Sequence, residues 1–195
     1  MIPVWLKLVY TFLAVAILLV YWFRYGPQNY LWFSDIALIG AIPALWLESA
    51  LLASTLAVGV LLPELLWNLS LLSRLLLGRR LTGMTDYMFE PERPVHLKAL
   101  SLFHIPLPIL LLWLVWALGY DPRALAVMSA LAWLVLPLTY AVTDPERNIN
   151  WVHGPGGEGV VQRRVHPLLY LGGLMVAFPL ALYLPSHLLL LMLFG

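Results

Sequence analysis

Apolar runs long enough to cross a lipid bilayer dominate this chain. A transmembrane helix needs about 20 consecutive, mostly apolar residues. These runs lack the two-residue alternation that is typical of membrane β-strands. We therefore expect an all-α fold, a polytopic transmembrane bundle of six helices that forms one integral membrane domain over residues 1–195. The six predicted spans are Val4–Phe23, Tyr30–Leu47, Ala50–Leu72, Ser101–Leu118, Ala124–Val142 and Leu168–Phe194.

The composition favours a membrane location and excludes several kinds of protein. Hydrophobic residues make up 62% of the chain and charged residues 11%, whereas soluble domains carry about 25% charge. A soluble domain of this length cannot bury so much apolar surface. The net charge of +1 and the scattered basic residues argue against nucleic acid as a partner. The absence of cysteine excludes disulfides, thiolate nucleophiles and cysteine-based metal centres.

The basic residues predict an orientation. The connections after the first, third and fifth spans carry nine of the eleven Lys and Arg residues. The opposite side carries only Lys7 and Arg123. Cytoplasmic loops are enriched in Lys and Arg, so we expect the long connections in the cytoplasm and both termini on the non-cytoplasmic side. The first apolar run continues past Ala14–Ala16 to an aromatic and basic end, which predicts an uncleaved first span.

Ionisable residues inside the predicted spans mark a candidate site. Asp35 lies near the start of the second span, Glu64 lies deeper in the third, and His104 lies near the start of the fourth. A charged side chain at membrane depth costs about 2.5 kcal/mol or more, and such residues commonly line cavities or pathways. We expect these three to form a catalytic polar centre, with His104 as the proton carrier because its ordinary pKa lies near neutrality.

Further polar and aromatic residues fall at the same predicted membrane face. Asp86 and His96 are expected near them in the third connection. We predict that the others orient a ligand or the polar centre: Asn29, Trp32, Asn68, Asn148, Asn150, Trp151 and His153.

Each of these residues also has a structural interpretation. Asp35 would pair with an arginine to fix its helix, and Glu64 with Asn68 would join helices by hydrogen bonds. His104 would be an ordinary interface histidine, and the asparagines would serve turns. Separate structural roles for each residue do not explain well why all of them cluster at one predicted membrane face.

Motifs do not identify a cofactor. H-E-x-x-H and G-x-S-x-G are absent, and Gly154–Gly159 matches neither a phosphate-binding loop nor a dinucleotide fingerprint. Asp35, Glu64, His104 and His153 are a chemically plausible metal-ligand set, but their spacing supports no particular metal. Both the metal and any cofactor therefore stay unknown at this stage.

Two resemblances complete the sequence evidence. The segments Asn29–Asp35, Thr85–Phe89 and Asn148–Trp151 resemble parts of bacterial six-span integral membrane proteins. That resemblance implies the fold and a bacterial inner-membrane location, but no activity. The gathering of Asp and His residues at one membrane face is similar to ceramidase-type membrane hydrolases. The paired-histidine motif and the seventh span of that superfamily are missing here.

The leading hypothesis is a membrane protein that binds or acts on a lipid-like hydrophobic small molecule at the cytoplasmic face. Membrane lipids are the expected partners. One alternative is a small ion-coupled transporter with Glu64 as the coupling site. Another is a non-catalytic subunit of a larger membrane complex, or a homo-oligomer. Whether the chain is an enzyme is left open by the residues.

Overall fold

The structure, a computed structural model, describes residues 1–157 and 159–195, and every regular element in those ranges is helical. Short 3₁₀ turns and one π-helical turn join or interrupt the α-helices. The α-helices are α1 Val4–Tyr25, α2 Phe33–Trp46, α3 Ala50–Leu77, α4 Val95–Ser101, α5 Pro106–Leu118, α6 Ala124–Val142, α7 Pro167–Ala177 and α8 Leu184–Phe194. The 3₁₀ turns are Pro27–Leu31, Gly83–Phe89, Leu102–His104 and Ile149–Trp151, and the π-helical turn is Phe178–Tyr183.

Five helical segments are long and apolar enough to cross a membrane, which agrees with a multi-span helical protein. They are α1, α3, the segment Val95–Leu118, α6 and the segment Pro167–Phe194. The remaining pass, α2, has 14 residues and spans only about 21 Å at 1.5 Å per residue. A hydrocarbon core is about 30 Å thick. Six complete spans therefore stay a prediction.

The second predicted span is shorter than its apolar run because its first residues are not α-helical. Tyr30 belongs to the 3₁₀ turn Pro27–Leu31, and Trp32 is extended with φ −59° and ψ 133°, so the α-helix starts only at Phe33. The other boundaries lie within a few residues of the predicted ones, except that α3 continues to Leu77 and the fourth pass starts at Val95.

Consecutive passes run in opposite directions, so the connections gather at two ends of the bundle. At one end, called the loop end, Gln28 Nε2 donates to the Val142 carbonyl at 2.5 Å. At the other end, called the turn end, Lys7 Nζ lies 2.8 Å from Glu48 Oε1. The loop end contains residues 26–32, 78–94, 143–157 and 159–166, and the turn end contains both termini with residues 47–49 and 119–123.

The third helix is the centre of the bundle. It packs against α2, α5, α6 and α8, and buried apolar residues from all the passes form one contiguous cluster. Gly59 permits the close approach to α6, because a Cβ there would lie 2.6 Å from Met128 Sδ. Small residues of this kind let helix backbones pack closely in membrane proteins.

The last pass is interrupted by a wider, π-helical turn that contains a proline. Pro179 lies in the π-helical turn Phe178–Tyr183 and has no amide hydrogen. The Met175 carbonyl, four residues earlier, therefore lacks its usual helical donor. Trp133 Nε1 of α6 donates to that carbonyl at 2.7 Å. This side-chain hydrogen bond satisfies the carbonyl and ties α6 to α7.

Replacing Trp133 by Phe should therefore destabilise the fold. The variant keeps an aromatic ring but leaves the Met175 carbonyl without its donor, so we expect a loss of about 1 kcal/mol in the free energy of unfolding. Denaturation in detergent, followed by circular dichroism, measures the change. Trp116→Phe is the matched control, because Trp116 is 68% exposed. Equal stability of the two variants would contradict this role.

Candidate functional site

A partly open cavity of about 820 Å³ lies at the loop end of the bundle. Pockets for small organic ligands measure about 300–1,000 Å³. Its walls come from the end of α1, the start of α2, the middle of α3, the segment before α5, the long connections and the π-helical turn. Aromatic side chains supply much of the wall: Trp32, Phe33, Trp67, Phe103, Trp151 and Phe178.

A buried acid–base pair lies in the wall of this cavity. The Glu64 Oε1 and Oε2 atoms lie 3.0 and 2.8 Å from His104 Nδ1. The Glu64 side chain is only 3% exposed, and the His104 side chain 15%. Because the carboxylate accepts from Nδ1–H, the ring nitrogen left for a ligand is Nε2, which carries the lone pair in the neutral tautomer.

Aromatic stacking holds the imidazole in place. The His104 ring stacks on Trp67 with centroids 4.6 Å apart, and on Phe103 with centroids 4.2 Å apart. The ring is therefore oriented by contacts on its faces as well as by Glu64.

Prolines explain why His104 stands at a break between helices. Pro106 and Pro108 cannot donate to the carbonyls four residues earlier, those of Leu102 and His104. The Leu102 carbonyl accepts instead from Ile105 N at 3.0 Å, which makes a 3₁₀ turn.

Asn68 compensates for the second missing amide. Its Nδ2 donates to the His104 carbonyl at 2.8 Å and to the Glu64 carbonyl at 2.8 Å. These two bonds join the backbones that carry the acid and the base. Asn68 does not line the cavity, so its predicted contact with a ligand stays a prediction, while its contacts here position the pair.

Asp35 supplies a second buried carboxylate to the cavity wall. It is 2% exposed, and its Oδ2 accepts from Asn29 Nδ2 at 2.9 Å. Its place in the first turn of α2 suits a negative charge, because the amide end of a helix carries partial positive charge. Asp35 Oδ1 has no hydrogen-bond partner among the residues that the structure describes.

The last connection forms part of the wall through unusual backbone angles. Asn148, Asn150 and Trp151 have φ values of 42°, 51° and 62°. Asn150 is 5% exposed, and its amide donates to the Leu31 carbonyl at 2.7 Å and accepts from Phe33 N at 3.2 Å. It therefore caps α2 from a distant part of the chain.

Asn148 organises the same connection from inside. Its Nδ2 donates to the Gly154 carbonyl at 2.9 Å, and its Oδ1 accepts from His153 N at 2.9 Å. Asn148 does not line the cavity.

His153 also lies outside the cavity and lines a smaller one of about 360 Å³ with Tyr140. Burial lowers the pKa of His153. For Asn148 and His153, contact with a ligand therefore stays a prediction.

The connection between α3 and α4 covers part of the cavity. Its 3₁₀ turn Gly83–Phe89 is held to α3 by Arg74 Nη1, which lies 2.7 Å from Asp86 Oδ1. Arg80 also pairs with Asp86. Tyr87 of this turn lines the cavity, and burial raises its pKa to about 12. The phenol therefore stays protonated near neutral pH and offers a donor.

Seven of the ten predicted catalytic and binding residues line this one cavity: Asn29, Trp32, Asp35, Glu64, His104, Asn150 and Trp151. Asp86 lines it as well, whereas His96 does not. The described part of the chain contains no group of three or more His, Asp or Glu side chains placed to hold a metal ion.

The sequence reasoning missed the arginines of the cavity. Arg93 Nη1 donates to the Tyr25 hydroxyl at 3.3 Å, and Arg147 Nη1 donates to the Tyr25 carbonyl at 3.1 Å. Arg24 and Arg80 line the cavity too. The signal was present, because these arginines belong to the connections counted for orientation. In the sequence analysis, these arginines were used only to predict the membrane orientation.

At the turn end, polar side chains pair with one another. Lys7 pairs with Glu48, and the hydrogen bond from Lys7 lowers the pKa of Glu48. Asp121 and Arg123 pair at 2.7 Å. None of these residues lines the cavity.

No protein-family model, no curated protein and no solved structure matches this chain.

The Glu64–His104 pair should behave as one unit in a double-mutant cycle. Breaking a buried pair leaves one partner uncompensated, so we expect Glu64→Ala alone to destabilise the fold by about 3 kcal/mol. His104→Ala added to it should cost much less than in the wild-type background, with a coupling of about 1–3 kcal/mol. Unfolding in detergent measures all four corners of the cycle. Additive effects would show that the contact contributes nothing.

Proposed function

We propose that this chain is a multi-pass membrane protein that binds a lipid-like amphiphile in the cavity, and that Glu64 and His104 transfer a proton to or from it. The observation that carries this proposal is the contact between Glu64 and His104 Nδ1 at 2.8 Å in the wall of an aromatic cavity. A carboxylate that orients an imidazole is a recurrent arrangement for general acid–base chemistry.

The chemistry of the walls supports an apolar ligand body. Aromatic rings surround the pair, and the polar residues Asn29, Asp35, Ser101 and Tyr87 also line the cavity. Charged side chains from the loop end and the adjoining helix end line it as well, including Arg24, Arg80, Arg93 and Arg147. Ligand sites commonly combine an apolar lining with a small number of oriented polar groups. A molecule with a long apolar part and a hydrogen-bonding group near His104 Nε2 fits this lining best.

The turn end favours a binder or enzyme over a transporter. A transport path would need polar groups that continue from the cavity to the opposite end. The charged residues at that end form the ion pairs Lys7–Glu48 and Asp121–Arg123, and both pairs lie outside the cavity. We therefore rank transport behind binding and proton transfer.

In the same proposal, all six helical passes lie in the membrane and the cavity faces the cytoplasm. Together with Arg24, Arg74 and Lys98 of the adjoining helices, the loop end carries nine of the eleven Lys and Arg residues, which is the distribution of cytoplasmic loops. The short helix α2 reaches the surface through the 3₁₀ turn Pro27–Leu31 that precedes it.

Lipid analysis tests the binding and the proton transfer together. Organic extracts of the purified full chain are analysed by mass spectrometry for wild type, His104→Phe and Glu64→Gln. His104→Phe keeps a ring to stack on Trp67 and Phe103 but has no nitrogen. We expect both variants to retain several-fold more of one unreacted amphiphile than the wild type.

Glu92→Gln serves as the control in this experiment, because Glu92 is an exposed loop residue outside the cavity. It should match the wild type. The same amphiphile in equal amounts in all proteins would contradict proton transfer, and none in any of them would contradict the binding function.

Single-cysteine labelling tests the orientation. The chain has no native cysteine, so only the introduced residue can react with the label. We expect Arg123→Cys to react with a membrane-impermeant maleimide on intact cells. Arg79→Cys, at the loop end, should react only after permeabilisation. The reverse pattern would place the cavity on the other side of the membrane.

A further inference from the structure

The mouth of the cavity is taken as the part lined by exposed and half-buried residues at the loop end and at the adjoining end of α1. Two arginines there lack a carboxylate partner within residues 1–157 and 159–195. Arg147 is half-buried, and its Nη1 donates to two neutral oxygens, the Tyr25 carbonyl at 3.1 Å and Gln28 Oε1 at 3.0 Å. Arg24 lies in the last turn of α1, is exposed, and lines the same cavity. Both positive charges are therefore available to a ligand.

The other charges at the mouth are largely balanced. Arg80 pairs with Asp86, and Arg93 pairs with Glu90 at 3.1 Å. Among the described lining residues, the acids outside these arginine pairs are the exposed Glu146 and the buried Asp35 and Glu64, which are each 2% exposed. Because Asp35 and Glu64 are buried in the wall, Arg24 and Arg147 face one exposed acid among the described residues at the mouth, which leaves this part of the cavity with an attraction for anions.

The position of Arg147 is suited to a tetrahedral anion. Its contacts with the Tyr25 carbonyl and with Gln28 engage one terminal nitrogen and hold the guanidinium in place. The other N–H groups of the planar fork are the ones that match phosphate oxygens in pairs. A guanidinium that is already oriented loses less side-chain freedom when it binds an anion.

We propose that the ligand of this cavity carries a phosphate-type anionic head group, which Arg24 and Arg147 bind at the mouth. This inference rests on the proposed function, because it assigns the head of the amphiphile that the cavity holds. The apolar part then lies against Trp32, Phe33 and Phe178, and the same molecule reaches the Glu64–His104 pair deeper in the wall. A phosphate group from a lipid and free inorganic phosphate share the chemistry that the arginines recognise.

Binding of matched amphiphiles to the full chain tests this inference. The purified protein in a neutral detergent is titrated calorimetrically with dioctanoyl phosphatidic acid, with dioctanoylglycerol and with inorganic phosphate. We expect phosphatidic acid to bind at least about tenfold more tightly than dioctanoylglycerol, because charge-assisted hydrogen bonds add to the apolar contacts. Inorganic phosphate that binds as tightly as phosphatidic acid would identify free phosphate as the source.

Variants then assign the preference to the two arginines. Arg147→Gln and Arg24→Gln should each weaken the binding of phosphatidic acid by about tenfold and leave that of dioctanoylglycerol unchanged. Glu146→Gln should tighten it, because an opposing charge is removed. Arg79→Gln is the control, since Arg79 is exposed at the same end and does not line the cavity.

The outcomes separate this inference from the proposed function. Equal affinity of the wild type for phosphatidic acid and dioctanoylglycerol would overturn the head-group assignment and leave lipid binding intact. A folded Arg24→Gln/Arg147→Gln double variant that keeps the preference would overturn it as well. Failure of the wild type to bind either amphiphile would overturn both proposals.

Discussion

The contact between Glu64 and His104 is the interaction on which the site depends. A carboxylate that is 3% exposed loses nearly all of its hydration, so it needs a donor close by. His104 provides that donor, and the carboxylate in turn selects the tautomer of the ring. Burial lowers the local dielectric around both groups, which strengthens their attraction. The contact thus gives the buried Glu64 carboxylate a hydrogen-bond donor and leaves His104 Nε2 beside the cavity.

Prolines shape the bundle by removing backbone donors at chosen points. Pro108 deprives the His104 carbonyl and Pro179 deprives the Met175 carbonyl of the usual helical amide. In each case a side chain from another pass supplies the hydrogen bond, Asn68 for the first and Trp133 for the second. Neighbouring helices commonly satisfy such freed groups in membrane proteins. The irregular points of the backbone are therefore also points of contact between passes.

Apolar run lengths predicted most of the helices, and Asn68, four residues after Glu64, lies on the same face of α3. The short α2 was missed because apolarity does not distinguish an α-helix from the 3₁₀ turn Pro27–Leu31. The bond from Asn68 to the His104 carbonyl could not be predicted, since it needs both a missing amide and a tertiary contact. The role of Arg147 in the cavity wall likewise depends on how distant connections meet, which local sequence does not encode.

The two bonds of Asn68 have a mechanical consequence. Its single amide group donates to main-chain oxygens on two neighbouring passes at 2.8 Å each. Sliding one pass along its axis by a single helical turn, about 5.4 Å, would break these hydrogen bonds. The axial register of α3 against the segment before α5 is therefore locked. The depth of the imidazole below the bundle surface therefore depends on the alignment of the two main chains that Asn68 joins.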